Sequence, residues 1–229
     1  MLSIVDLIKA GTVNRELAAY SLAAIGAGAS FMIGALPGGA GKTTVMGALL
    51  NFVPRDAHLI AADSEAVIEK GLSDQTQRRC YICHEIGPGP YYAYLWGRPL
   101  RKYFDLPAAG HMIATNLHAD TFGQARRQVC DENGVAPAAF RRMNLLFFLA
   151  VERRREGLAR RIASVWESDG KGDHRQVFAG GSSLSSDGSA LVSADAFQAA
   201  CQTVDSLQRA NVRRIEDVRA TLLRLRETP

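Results

Sequence analysis

Residues 38–44 read Gly38-Gly39-Ala40-Gly41-Lys42-Thr43-Thr44. Glycines let a backbone curl so that successive N–H groups turn inward around an anion. A helix starting directly after them adds its partial positive charge at the same place. Lys42 could then reach the β and γ phosphates of a nucleotide, and the Thr43 hydroxyl could face Mg²⁺. Such a loop binds; hydrolysis also needs carboxylates, one holding the cation through water and one orienting the attacking water. Asp63, with Glu65 two residues on, and Glu85 are the candidates, spaced roughly one strand–helix unit each along the chain. Asn116 and His118 follow, polar groups able to contact a terminal phosphate. One departure sits in the loop itself: five residues before Gly41, where glycine is usual, the chain has Leu36.

These groups can meet only at the C-terminal ends of neighbouring parallel strands, the edge that carries the ligand in open α/β sheets. The pattern supplies the strands. Residues 29–33 are a short apolar run bounded by glycine, and residues 42–51 are helical, closed by Pro54. Residues 59–62 form a second strand ending in Asp63, residues 80–83 a third leading to Glu85, residues 112–117 a fourth and residues 145–151 a fifth. Strands alternating with helices predict an α/β fold with a mainly parallel sheet covered on both faces. Two short helices precede it, over residues 3–9 with Ser3 as N-cap and over residues 14–25. After Glu152 the character changes. Residues 158–166 and 174–178 suit a hairpin, residues 180–189 a Gly/Ser-rich linker, and the stretch from Ala194 two helices broken near Asn211. This divides the chain into a nucleotide-binding domain (1–178), a linker (179–193) and a helical segment (194–229).

The chain has 229 residues, 47% apolar and 22% charged, ordinary values for a folded domain. No apolar run is long enough to cross a membrane, and Asp6 and Lys9 interrupt the N-terminal one, which makes a poor export signal. A cytoplasmic protein, peripheral to a membrane at most through a partner, is expected. The net charge of +4 comes from arginine spread along the chain, with no polybasic tail, so no nucleic-acid partner is expected. Arg153, Arg154 and Arg155, with Arg160 and Arg161, suit a solvated hairpin or a contact reaching a neighbouring subunit's nucleotide. Four cysteines without an export signal are no disulfide framework. Cys80-Tyr-Ile-Cys83-His84 matches the haem c attachment pattern, but an apolar strand leading to Glu85 favours two small apolar residues over a haem or zinc site.

Taken together, GGAGKTT, HLIAADSEAVI, HEI and GHMIATNLHAD resemble the type II and type IV secretion and pilus-motor ATPases, over about residues 2–168. The resemblance implies a RecA-like P-loop core that hydrolyses ATP with Mg²⁺ as a homo-oligomeric, hexameric ring, working against an inner-membrane platform protein. It makes Gly38, Gly39, Ala40, Gly41, Lys42, Thr43 and Thr44 the phosphate loop. Thr43 and Glu85 become the cation-side residues, Glu85 the Walker B glutamate, Asp63 the acidic-box residue and His118 the His-box histidine. The sequence departs from the family at Asp63, a methylene shorter than the usual Glu, at His84 for Gly, and at Gly87-Pro88 for Arg-Asp. The family's N-terminal domain has no counterpart in the 30 or so residues before the loop. The chain would then be a fragment, a reduced homologue, or one whose partner supplies that surface and its arginines. Two other functions fit these edits: a nucleotide-binding regulatory or structural subunit with weak hydrolysis, and a different P-loop phosphotransferase.

Overall fold

The computed structural model describes residues 1–155, 157–180, 184 and 188–225. Ser3 starts α1 (Ile4–Lys9) by a reciprocal cap: its Oγ accepts from the Asp6 N–H, and the Asp6 carboxylate accepts from the Ser3 N–H. Asn14 starts α2 (Arg15–Gly26) by accepting from the Leu17 N–H at 2.7 Å. There follow β1 (Phe31–Gly34), α3 (Lys42–Leu50), β2 (His58–Ala61), α4 (Glu65–Ser73) and β3 (Arg79–Ile86). The two-residue β4 (Tyr94–Leu95), α5 (Arg98–Asp105), a 3₁₀ turn and β5 (Met112–Leu117) come next. Then come α6 (Phe122–Arg126), which winds on into a π-helical stretch, α7 (Pro137–Arg141), β6 (Leu145–Arg154), β7 (Gly157–Glu167) and β8 (Arg175–Ala179). Last are α8 (Ala194–Arg209) and α9 (Ile215–Leu225).

The strands form one sheet in the order β2-β3-β5-β1-β6-β7-β8, with β4 paired to the end of β3. Every pairing from β2 to β6 is parallel, and β7 and β8 are antiparallel additions at one side. The expected mixed α/β fold with a mostly parallel sheet is therefore present. Strand alternation divides the core in two. Phe31, Ile33, Met112, Ala114, Leu145 and Phe147 face α1, α2, α3, α8 and α9. Met32, Ile113, Leu146 and Phe148 face α4 to α7. β1 and the first half of β6, covered on both faces, read as unbroken apolar runs, and each large side chain withdrawn from water contributes about 1.5–3 kcal/mol.

β1 lies in the middle, between β5 and β6, and β5 separates it from β3. Between Cys83 and Ile86 three steps of β3 oppose two of β5, so β3 carries a bulge at His84 and Glu85. The helices over residues 98–141, not anticipated from pattern, cover the second face. α5 buries Leu100, Tyr103 and Phe104 there.

The terminal helices pack on the core. Ala200, Cys201, Val204 and Leu207, one stripe of α8, join the cluster that holds Leu17 to Ile25 of α2. Arg15 grips Asp205 through two nitrogens at 2.5 and 2.6 Å, and Arg213 reaches Asp6 at 2.7 Å. The break between α8 and α9 falls at Asn211, which takes a φ of +49°. Most of the Gly/Ser-rich stretch expected to be a linker, residues 181–183 and 185–187, lies outside the described residues. Among the described residues no helix is long and apolar enough to cross a membrane.

Candidate functional site

The glycine-rich segment leaves the C-terminal end of β1 and enters α3. Pro37 accepts from the Ala40 N–H at 3.3 Å, closing a tight turn in which Gly39 has a φ of +70°. Gly41 follows at +95° as the N-cap of α3. Both values are the left-handed conformation that glycine adopts without a steric cost. Among the described residues no side chain caps α3, which leaves its first N–H groups without that partner at the loop. Leu36 is accommodated simply. Its side chain is exposed, its φ is not positive, its N–H donates to Asp120 Oδ1 at 2.6 Å, and its carbonyl meets His118 Nδ1 at 3.3 Å. Nothing at that position requires a glycine.

Residues 38–44 line an open pocket of about 430 Å³ together with Glu85 and His118. Lys42 is the hub. Its Nζ lies 3.2 Å from the Ala35 carbonyl, 3.4 Å from His118 Nδ1 and 3.5 Å from Glu85 Oε2. His118 Nε2 is 3.8 Å from the same Glu85 oxygen. Three residues from α3, β3 and the loop after β5, spread over 76 positions of sequence, thus converge on one point. Glu85 is only 5% exposed. Burial pushes its carboxyl above the ordinary range, and the positive charge of Lys42 nearby pulls against that rise. Its second oxygen, Oε1, is buried and has no hydrogen-bond partner among the described residues, and the same holds for Asn116 Oδ1 on the adjacent strand. A buried acceptor without a donor is costly, which marks a place for water or a hydrated cation.

Thr43 is exposed at the pocket rim and Thr44 half-buried beside it. Among the described residues no three His, Cys, Asp or Glu side chains cluster into a metal site. Mg²⁺ prefers one or two protein oxygens completed by phosphate and water, so Thr43 and Glu85 suit it better than they would suit a protein-only cage. Asn116 points its Nδ2 at the His84 carbonyl, 2.8 Å away, and does not line the pocket.

Asp63 is not brought to this point. It is exposed, just past the end of β2, and absent from the pocket wall. The strand order explains this: β3 and β5 stand between β2 and β1. Three strand spacings amount to about 14 Å. The cysteine motif also resolves. Cys80 packs on one face of the sheet and Cys83 on the other, and both are fully buried. Burial pushes both thiols up to about 12. His84 is exposed and stacks on Tyr94. The two sulfurs cannot hold one group between them.

Arg160, read from the sequence as part of a basic run on a solvated hairpin or reaching a neighbouring subunit's nucleotide, instead makes a contact that this reading does not foresee. This residue of β7 donates from Nε and Nη2 to the Gly39 carbonyl, at 3.2 and 3.1 Å. It touches the glycine-rich loop of its own chain; only its place in a basic run, two residues from the buried Ile162, hinted at an inward orientation.

No family model matches the chain, and no curated protein matches it. Among solved structures it is similar to the VirB11 ATPase of the Brucella suis type IV secretion system, determined in complex with sulphate. That match has 15% identity and a TM-score of 0.47, covering 70% of this chain and 60% of the other. The chain thus spans about 60% of the length of that neighbour, at a likeness too distant to carry an activity across.

Proposed function

We propose that the chain binds ATP with Mg²⁺ at residues 38–44 and hydrolyses it, as a subunit of a motor of the secretion and pilus-assembly kind. One observation carries this reading: Lys42, Glu85 and His118 meet within 3.4–3.8 Å of one another at the mouth of an uncapped, glycine-rich helix start. A P-loop lysine without ligand needs counter-charge, and Glu85 with the Ala35 carbonyl supplies it. An incoming triphosphate exchanges those contacts for phosphate oxygens, which releases Glu85. Inward N–H groups of the loop and the α3 start cradle the phosphates. Thr43 and Glu85 would hold Mg²⁺, which neutralises charge developing on the transferred phosphoryl group. Glu85 orients the attacking water, and His118, whose Nδ1 lies within reach of either Lys42 or the Leu36 carbonyl, registers whether the γ-phosphate is present. The hexameric ring and the membrane platform partner belong to this proposal through the sequence resemblance.

Asp63 favours a second reading, a nucleotide-binding subunit with slow turnover. With Asp63 outside the pocket, Glu85 is the only carboxylate among the described residues that line it. Phosphate release from MgATP, measured beside equilibrium binding of the same nucleotide, separates the two. We expect binding and turnover in the natural chain, and a loss of about 10²–10³-fold in turnover for Lys42→Ala. Turnover unchanged by Lys42→Ala would overturn the first reading, and MgATP binding unchanged by it would overturn both. Tight binding without turnover would leave the second.

A further inference from the structure

Arg160 sits on the antiparallel extension, outside the pocket that Lys42 and Glu85 share. It reaches the loop across a second, more apolar pocket of about 260 Å³ lined by Leu149, Leu158 and Thr44 among others. Its fork closes on a single acceptor, the Gly39 carbonyl, and its Cδ lies 3.2 Å from where a side chain on Gly41 would begin. Among the described residues Arg160 has no carboxylate partner, so the loop holds its charge in place. Its neighbour Arg161 turns to the other side and grips Glu152 across the hairpin at 2.6 Å.

We infer that Arg160 is a positioning residue for the phosphate loop, acting from the loop's outer surface. The inference rests on the ATP-binding reading. In a trans peptide the carbonyl and the following N–H point in opposite directions. Loop N–H groups converge on an anion only when the carbonyls between them face outward. The Gly39–Ala40 peptide is flanked by glycines at Gly38, Gly39 and Gly41, the residue type with the most backbone freedom to lose. Two restraints hold it: the 3.3 Å turn bond from Ala40 to Pro37 and the Arg160 fork. The Ala40 N–H is taken by the Pro37 carbonyl, so the fork does not aim that donor at a ligand; it fixes the course of the loop into Gly41 and α3 before ligand arrives, so less ordering is left to the nucleotide. It also ties the loop to β7, whose Ile162 N–H donates to the Thr12 carbonyl at 2.9 Å, and thus to the turn between α1 and α2.

The test is MgATP binding and steady-state turnover of the full chain carrying Arg160→Ala, Arg160→Lys or Arg161→Ala, each with its melting temperature. Arg160→Ala should weaken MgATP binding about tenfold and raise KM in proportion, with kcat little changed. Arg160→Lys, one donor centre for two, should recover part of the loss. Arg161→Ala should bind as the natural chain does. Unchanged or tighter binding by Arg160→Ala overturns the inference, and so does an equal loss with Arg161→Ala, which marks a general effect of the hairpin. These results are read only where the natural chain binds MgATP and Lys42→Ala does not; a natural chain that fails to bind overturns the ATP reading, and this inference with it.

Discussion

Glu85 and Glu167 are both carboxylates taken out of water, and the chain treats them in opposite ways. Glu167 ends β7 on the antiparallel side and is fully buried. Tyr20 donates to it at 2.5 Å, Ser189 at 2.6 Å, the Ala190 N–H at 2.8 Å and Arg175 from two nitrogens at 2.7 and 3.0 Å. Burial pushes its carboxyl up; the bonds from Ser189, Tyr20, Ala190 and Arg175 outweigh this and hold it below the ordinary range. The Tyr20 hydroxyl is correspondingly hard to ionise, through burial and then that bond. Glu85 faces a lysine at 3.5 Å and a histidine at 3.8 Å with one oxygen, and its other oxygen has no hydrogen-bond partner among the described residues. A carboxylate with every lone pair answered is a fastener. One buried with an oxygen unanswered is waiting for something the chain does not contain.

The largest effect should come from Glu85→Gln. If that oxygen orients water, turnover falls by about 10²–10⁴-fold while MgATP binding stays close to that of the natural chain, read by phosphate release beside equilibrium binding. An equal loss of both would make Glu85 another fastener and break the contrast. Glu167→Gln should do the reverse, costing about 2 kcal/mol of unfolding free energy at neutral pH without a specific loss of turnover. Its pH dependence sharpens the point. A group whose folded pKa is depressed contributes fully above its unfolded pKa and loses that contribution as pH falls through the folded value. The stability gap between Glu167→Gln and the natural chain should therefore be widest near neutrality and close on acidification below the ordinary carboxylate range, in denaturant titrations at several pH values. The smallest effect is expected for Asp63→Ala, which should leave turnover of the chain unchanged. A clear loss would mean that the end of β2 reaches the site during the reaction.

How much of this could be read from the residues depended on the range of the contact. Ser3 and the run from Gly38 to Thr44 act on near neighbours and were legible as a cap and a loop, whereas Asn14 reads only as the first residue of its helix. The strands were legible as well, because a parallel strand buried on both faces leaves an unbroken apolar run. Glu85 and His118 were found through strand ends, a rule about sheets rather than about single residues. Asp63 shows where that rule stops, since being at a strand end does not say which strand lies next to the loop; order in the sheet decides that. The fork from Arg160 to Gly39 joins residues 121 apart, and Glu167 draws on Tyr20 147 residues away. No period marks such pairs. The helix over Arg98–Asp105 did carry a cue, Pro99 in its first turn, which its high charge obscured.

The bulge in β3 gives the site an arithmetic of its own. Cys83 and Ile86 pack on the same face of the sheet although an odd number of steps separates them. The additional residue advances the strand's phase by half a cycle, and Glu85 sits in the interval where the phase changes. The position of the acid is thus set by how many residues precede it, more than by which they are. His84 has an exposed ring, and its main-chain bonds to Ala93 and Asn116 do not depend on the side chain. His84→Ala should accordingly keep turnover, whereas a chain shortened by deleting His84 should lose it. At position 84 the site should tolerate a change of identity and not a change of length.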